Sequence, residues 1–392
     1  MNILFITSRP PYPPNRGDKL RTNMFLKIFS REHNVFLFTF YENNQELEYK
    51  AVVEEFCQKV WFEKQSKIGS FFKVLCNIFG SRPSQIAYYY KPGAKKKIKN
   101  IVIENKIEII YFHLIRTAYY LPEGIKAHKI LDYTDCISRE YQRSLKFRPF
   151  FSKLFYQEEA RRMRKCEKNI WKKFDDNWFI TGDDIKSLGL DDYKYFSVIP
   201  NPVRICAESK NYSLFNRLVF VGNMSVPHNI QAVEFCVQEI MPEFAGKSRF
   251  DIIGANPEKV KKMHGINSTR VLGFVDDLYH ELLNSDVFLA PMFYSAGIQN
   301  KVLEAMACGL PVLTTQAVAD SISATPGKHL LTASDKNDFS RQLYLLLADK
   351  NYRQDIGLAG KELITRQYEQ SIIETHISEK LDLSALRKKN SG

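Results

Sequence analysis

Short apolar runs recur along the whole chain at helix-length intervals. In the first half they are NILFIT (2–7), NVFLFTF (34–40), KVWFE (59–63), IEIIYFH (107–113), KILDYTD (129–135), NWFIT (177–181) and FSVIP (196–200). Rich in Ile, Val, Phe and Tyr and nearly continuous rather than alternating, they have the pattern of strands covered on both faces. The second half repeats it with RLVFVGN (217–223), RFDIIG (249–254), RVLGFV (270–275), VFLAPM (287–292), LPVLTT (310–315) and HLLTA (329–333). Amphipathic segments such as NIQAVEFCVQEIM and DDLYHELLNS lie between them, and from about residue 335 to 388 the pattern is helical. Parallel strands need crossover helices, so the pattern predicts an α/β chain of two doubly wound, Rossmann-like domains. The boundary is placed at SVIPNPVRI (197–205), where Pro200 and Pro202 bracket Asn201 and let neither helix nor central strand continue. The expected division is 1–200, 201–370, and a helical end 371–392 that packs back on the first domain.

A chain of 392 residues can bury two cores of this kind. No run approaches about 18 apolar residues, and MNILFITSRPPYPPN reads as a strand and a proline-rich turn rather than a secretory leader, so a soluble cytoplasmic chain is expected. Seven cysteines (57, 76, 136, 166, 206, 236, 308) form no CxxC pair, which points to reduced packing thiols and away from structural zinc. Charge divides unevenly. Residues 1–200 hold 35 Lys+Arg against 23 Asp+Glu, and residues 201–392 hold 21 of each. The excess clusters in KPGAKKKIKN (91–100) and RRMRKCEKNIWKK (161–173), near the aromatic KIGSFFKVLCNIFG (67–80). Solvated helix faces account for any one cluster, whereas the one-sided total points to an anionic partner for the first half: a phospholipid surface, a phosphorylated acceptor or nucleic acid, and docking of that half on an anionic membrane surface is expected. No RRM, zinc-finger or helix-turn-helix signature supports nucleic acid as that partner, and no GxGxxG follows a strand to support a nicotinamide cofactor.

The stretch with most chemistry is SAGIQNKVLEAMACGLPVLTT (295–315). VFLAPM ends a strand, FYSAGIQ turns, and NKVLEAMACG is a helix that stops at Gly309. In an open α/β sheet the ligand crevice lies beyond the carboxyl ends of the strands, and a helix start there offers unsatisfied N–H groups to a phosphate. Gly297 allows close backbone approach. Lys301 would add a point charge for a diphosphate, and Glu304, one turn later, could accept two hydroxyl hydrogen bonds from a ribose. The same spacing also suits an i,i+3 ion pair on a core helix.

GIQNKVLEAMACGLPVL resembles the donor-binding signature of family 4 retaining glycosyltransferases of GT-B fold, and is particularly similar to a bacterial exopolysaccharide-associated branch that has GIQNK before the glutamate. SRPPYPPNRGDKLRT (8–22), DYTDCISREY (132–141) and VFVGNMSVPHNIQAVEF (219–235) extend the resemblance along the chain. It implies two Rossmann-like domains facing across a cleft, with no cofactor and no required metal; Asp132 and Asp135 do not have DxD spacing. A nucleoside-diphosphate sugar would be held by Gly222, Asn223, Phe274, Val275, Gly297, Ile298, Gln299, Asn300, Lys301 and Glu304. Arg16, Gly17 and Asp18 would serve the acceptor side, and His113, Lys301 and Glu304 would carry catalysis, His113 by hydrogen bonding the donor sugar. A strand-end histidine can equally be structural, and Asp18 can simply favour a helix N-terminus. Two departures stand out. Ala296 occupies the place of the family's first acid, and Asn223 and His228 those of its usual arginine and lysine. The function implied is sugar transfer, with anomeric retention, to a growing bacterial surface glycan carried on a polyprenyl diphosphate, by an enzyme peripheral on the inner face of the cytoplasmic membrane. A nucleotide-sugar epimerase of the same fold and a non-catalytic nucleotide-sugar-binding scaffold are the alternatives.

Overall fold

The computed structural model describes the chain except for Asn15, Phe79, residues 146–147, 191–192, Ser209, 211–215, 294–297 and 391–392; at 383–390 the description covers the backbone alone. The chain forms two compact units, Met1–Pro200 with His376–Gly392, and Asn201–Thr375.

The first unit is built on seven parallel strands: β1 (Asn2–Thr7), β2 (Asn34–Tyr41), β3 (Lys59–Lys64), β4 (Ile109–His113), β5 (His128–Thr134), β6 (Asp176–Phe179) and β7 (Phe196–Val198), in the order β3-β2-β1-β4-β5-β6-β7. The second has six: β8 (Asn216–Val221), β9 (Ser248–Ile253), β10 (Thr269–Gly273), β11 (Val287–Ala290), β12 (Val312–Thr314) and β13 (Leu331–Thr332), also all parallel, in the order β10-β9-β8-β11-β12-β13. Each strand lies on an apolar run expected from the sequence. In each sheet the order reverses beside its first strand, at β1/β4 and at β8/β11, and these reversals open crevices at the carboxyl edge.

The helices follow the sequence pattern with one irregularity. The segment expected to be one helix from Asn229 to Met241 is α-helical over Pro227–Phe235, widens into a π-turn over Cys236–Ile240 and closes with Met241–Phe244. The helix Asn300–Ala307 is stopped by Gly309, whose φ of 69° suits a residue without a Cβ. It is backed by the helix Lys350–Tyr368, where a Cβ on Gly357 would lie 2.2 Å from the Gly309 carbonyl oxygen. Glycine at 357 therefore sets how closely the two segments pack.

All seven cysteines are free, and only Cys76 is exposed; Cys206 and Cys308 meet in the second core. No helix among the described residues is long and apolar enough to cross a membrane. The lysine cluster at 91–99 is less bare than its sequence suggests: Lys91 and Lys97 both reach Glu63, and Lys95 lies 2.9 Å from Glu123.

The first core closes around Phe5, Phe25, Phe29, Tyr111 and Trp178, all fully or almost fully buried, and Arg21 and Asp132 are buried beside them. Arg21 grips Asp132 through Nε at 2.6 Å and Nη2 at 3.2 Å; the Tyr111 hydroxyl and the Thr134 amide also donate to that carboxylate. Burial alone would raise the Asp132 pKa, but Arg21 and His113 outweigh it and hold the group ionised far below the usual carboxylate range. Breaking one side of a buried pair leaves the other charge uncompensated. Asp132→Asn is therefore expected to destabilise the first unit by about 3–5 kcal/mol, read as a lower urea midpoint, and Arg21→Met with Asp132→Leu should recover part of the loss. An unchanged midpoint in Asp132→Asn would show that the pair does not hold the core.

Candidate active site

In the second unit the site begins after β11. Ala296 and Gly297 lie outside the described residues, and Ile298 packs on the core. Gln299 has the extended backbone of an N-cap, and its carbonyl accepts from Val302 N at 2.8 Å. Asn300 accepts from the Asn201 amide at 3.2 Å, which ties the helix start to the Pro200–Pro202 connector. Val302, Leu303, Ala305, Met306 and Ala307 fill the core, and the remaining stripe carries Lys301 and Glu304, both half-buried.

Lys301 does not pair with Glu304: no ion pair within 4.0 Å joins them among the described residues. Its Nζ instead donates to Asn229 Oδ1 and sits 4.7 Å above the Phe220 ring. Asn229 passes the connection to the Asn223 carbonyl at 2.9 Å, and Asn223 Oδ1 accepts from Ser225 N at 2.8 Å and Asn256 Nδ2 at 2.7 Å. This polar chain brings Asn223 and Lys301 together, as the sequence suggested, through an asparagine that sequence reasoning had not singled out. Gly222 belongs to the same packing. A Cβ there would lie 2.8 Å from Asn229 Nδ2 and 3.0 Å from Phe220, so the fold itself calls for glycine.

Burial sets the electrostatics of this corner. It lowers the Lys301 pKa to about 7, against the pull of Glu304, and raises that of Glu304 to about 7, against the pull of Lys301. Burial and then Lys301 push His228 down to about 4, so His228 is neutral near neutral pH and does not replace a lysine charge. Asn223 carries no charge either, which leaves Lys301 as the cation of the expected set. Phe274 and Val275 follow β10 at the same sheet edge but two strands away from β8; Phe274 is exposed and Val275 packs on the core.

The first unit gathers a second set at its own switch point. Gly17 opens the helix Gly17–Phe29, and a Cβ added there would meet nothing within 4 Å, so internal packing does not explain this glycine. Asp18 does more than favour the helix dipole: it accepts from Arg9 Nη1 at 3.1 Å and Arg116 Nη2 at 3.2 Å, with Arg16 Nε at 3.6 Å. Burial would raise its pKa, and Arg116 followed by Arg9 overcomes that and lowers it. Arg116 also donates to Ser8 Oγ at 2.6 Å and lies 4.4 Å from the Tyr89 ring centre. Arg9 and Arg116 were missed from sequence as site residues, although Arg9 lies inside the SRPPYPPN stretch that carries the resemblance.

His113 ends β4 and is 2 % exposed, with Nδ1 3.6 Å from Asp132 Oδ2. Among the described residues neither ring nitrogen has a hydrogen-bond partner, which a purely structural histidine would be expected to have. The backbone beside it is strained: Leu114 has φ 68° and ψ 144°, and Thr134, at the end of the neighbouring strand, has φ 67°. Asp135 is pushed up to about 7 by burial, with Asp184 and Glu140 adding to the shift. Among the described residues no three His, Cys, Asp or Glu side chains gather as a metal site.

Comparison with known proteins places this geometry. Residues 216–349 match the family model described as Glycosyl transferases group 1. A Klebsiella pneumoniae protein described as an uncharacterized 44.6 kDa protein in the cps region is 22 % identical, over 99 % of each chain. Among solved structures, Anabaena Alr3699/HepE in complex with UDP and glucose superposes with a TM-score of 0.69 at 15 % identity, covering 97 % of this chain and 99 % of that one. WaaG, a glycosyltransferase involved in lipopolysaccharide biosynthesis, gives 0.63 at 14 % identity, covering 95 % and 98 %. With two parallel-sheet units of GT-B type and a group 1 glycosyl transferase sequence over 216–349, the protein is a glycosyltransferase.

Proposed function

We propose that the enzyme moves a sugar from a nucleoside-diphosphate sugar to a hydroxyl of a growing, lipid-linked bacterial surface glycan, with retention at the anomeric carbon, as a family 4 member of the exopolysaccharide-associated branch. The observation that carries this reading is the half-buried Lys301 and Glu304 at the start of the Asn300–Ala307 helix. A lysine held near its midpoint by desolvation regains its charge when an anion replaces the lost water, and the adjacent helix N–H groups suit the same anion. No described hydrogen-bond donor reaches the Glu304 carboxylate, which leaves it able to take two ribose hydroxyls. Alr3699/HepE, which shares the fold, is described with UDP and with UDP-glucose, and the cps-region relative supports a surface-polysaccharide setting.

In this mechanism cleavage of the donor leaves charge on the outer phosphate, which Lys301 and the helix start stabilise, a contribution that grows toward the transition state. The departing phosphate receives the acceptor proton on the face from which the sugar is taken, so no protein nucleophile and no metal is needed. Gly222, Asn223, Ile298, Gln299 and Asn300, with Phe274, Val275 and Gly297, are assigned to the nucleotide sugar. His113 is assigned to the transferred sugar, and Arg16, Gly17 and Asp18 to the acceptor, with Arg9 and Arg116 orienting Asp18. The enzyme is assigned to the cytoplasmic face of the membrane as a peripheral protein. The helix Lys67–Cys76 exposes Ile68, Phe71, Phe72 and Leu75 beside Lys67, and each basic residue near an anionic bilayer contributes about 1 kcal/mol.

UDP titrated by calorimetry in buffers of different ionisation enthalpy tests the carrying observation. At about pH 8 Lys301 is largely uncharged and Glu304 already ionised, so binding should take up protons; at about pH 6 the reverse holds and binding should release them. Lys301→Met should abolish the uptake, and zero linkage at both pH values would refute the assignment. Glu304→Ala should weaken UDP by about 1.5–3 kcal/mol. His113→Ala should leave UDP affinity within about twofold while turnover falls by roughly 10²-fold; equal loss of both would return His113 to a structural role.

A further inference from the structure

A second concavity lies in the first unit and involves none of the residues assigned above. The helix Phe150–Ile170, the segment Ser81–Pro83 and the loop Leu121–Ile125 line a cavity of about 830 Å³, within the size range of small-molecule sites. Six cations border it, Arg82, Lys95, Lys129, Arg162, Lys165 and Lys173, and Glu123 is the one carboxylate among its lining residues.

Three of those charges are already used. Lys95 pairs with Glu123 at 2.9 Å and Lys129 with Asp175 at 3.3 Å, while Arg162 holds Glu158 at 2.8 Å and the Ile78 carbonyl at 2.7 Å. Arg82, Lys165 and Lys173 have no carboxylate within 4.0 Å among the described residues. Arg82 is nevertheless held in place, its guanidinium carbon 4.5 Å from the Tyr90 ring centre and 5.3 Å from that of Tyr119. The Tyr119 hydroxyl is in turn 3.4 Å from Cys166 Sγ. A planar donor fixed before a ligand arrives loses less entropy on binding.

We propose that this cavity binds a phosphate- or diphosphate-bearing group at a site separate from that for the nucleotide sugar. Like charges gathered along one concave wall, Arg82 partly buried and Lys165 and Lys173 exposed at its rim, repel one another and attract an anion. A phosphate's oxygens match the guanidinium fork of Arg82 and the two ammonium groups. Arg162, which lines the cavity, also donates to the Ile78 carbonyl at 2.7 Å, just after the helix Lys67–Cys76, whose Phe71, Phe72 and Leu75 are exposed. Either the headgroup of an anionic lipid or a soluble phosphate compound would supply the same chemistry.

The test uses the full chain in wild-type and Lys301→Met backgrounds, so that anion binding at the helix start is accounted for. Inorganic pyrophosphate is titrated calorimetrically, and sedimentation is measured with phosphatidylcholine vesicles with and without phosphatidylglycerol. Arg82→Gln/Lys165→Gln/Lys173→Gln is compared with Lys64→Gln/Lys96→Gln/Lys99→Gln, which removes three exposed charges elsewhere on the unit. The cavity variant should lose at least about tenfold in pyrophosphate affinity or in binding to phosphatidylglycerol vesicles, with the surface variant within about twofold of wild type. Loss with pyrophosphate alone assigns a soluble ligand; loss with vesicles, or displacement of vesicles by pyrophosphate, assigns a lipid headgroup. Equal losses in the two variants, or no loss in the cavity variant with either probe while its thermal midpoint is unchanged, would overturn the proposal.

Discussion

A parallel sheet covered on both faces gives its strands no side on which to carry solvated chemistry, so polar groups collect where the strands end. Both units obey this constraint. Along the central strands most residues are Ile, Leu, Val and Phe at or near zero exposure, and the charges among them, Asp132, Arg217 and Asp251, are paired with other charges, while His113 ends β4, Gly17 and Asp18 follow β1, Gly222 and Asn223 follow β8, and Lys301 follows β11. In each sheet the two positions flank the strand-order reversal, the one place where adjacent crossovers depart to opposite faces. The candidate site residues thus collect at these edges because the sheets leave polar chemistry few other places.

Buried charge that is answered by other charge can be told from buried charge that is not. Asp251 is ringed by Arg217 at 2.7 Å, Arg270 at 2.9 Å and Arg249 at 3.3 Å, and although burial would raise its pKa, Arg270 and Arg217 lower it. Asp132 is answered likewise by Arg21, Tyr111 and Thr134. Such groups are stable parts of a core. Lys301 and Glu304 are shifted toward neutrality instead, and His113, with Nδ1 3.6 Å from Asp132, has no hydrogen bond to either ring nitrogen among the described residues. The protein fixes these side chains without completing their interactions, which is the condition of groups that a ligand completes.

The strands were legible in the sequence because burial on both faces writes an unbroken apolar run, as in IEIIYFH and RLVFVGN. The Lys301–Glu304 spacing was legible because helical periodicity is local. What could not be read was whatever depends on distant partners. Asp18 meets Arg116 across 98 positions, Arg21 meets Asp132 across 111, and Asn229 intercepts Lys301 across 72, so spacing alone could not show that Lys301 turns away from Glu304. The π-turn at Cys236–Ile240 was also hidden, since one extra residue in a turn barely disturbs a pattern apolar on most sides.

The same distance effect changes what the excess charge of the first half means. KPGAKKKIKN is one of the two basic clusters counted along the chain, yet folding brings Glu63 to Lys91 and Lys97 and Glu123 to Lys95. The helix Phe150–Ile170 shows the opposite outcome: no acid comes within 4.0 Å of Lys165 on its cavity side, and Phe150, Phe151 and Leu154 are left 82 %, 92 % and 76 % exposed near its start. Large apolar side chains left that bare lose the favourable transfer energy that burial would give, about 1.5–3 kcal/mol for each. Solubility would be served by the cations alone, so it does not account for the bare aromatics that occur in the same helix.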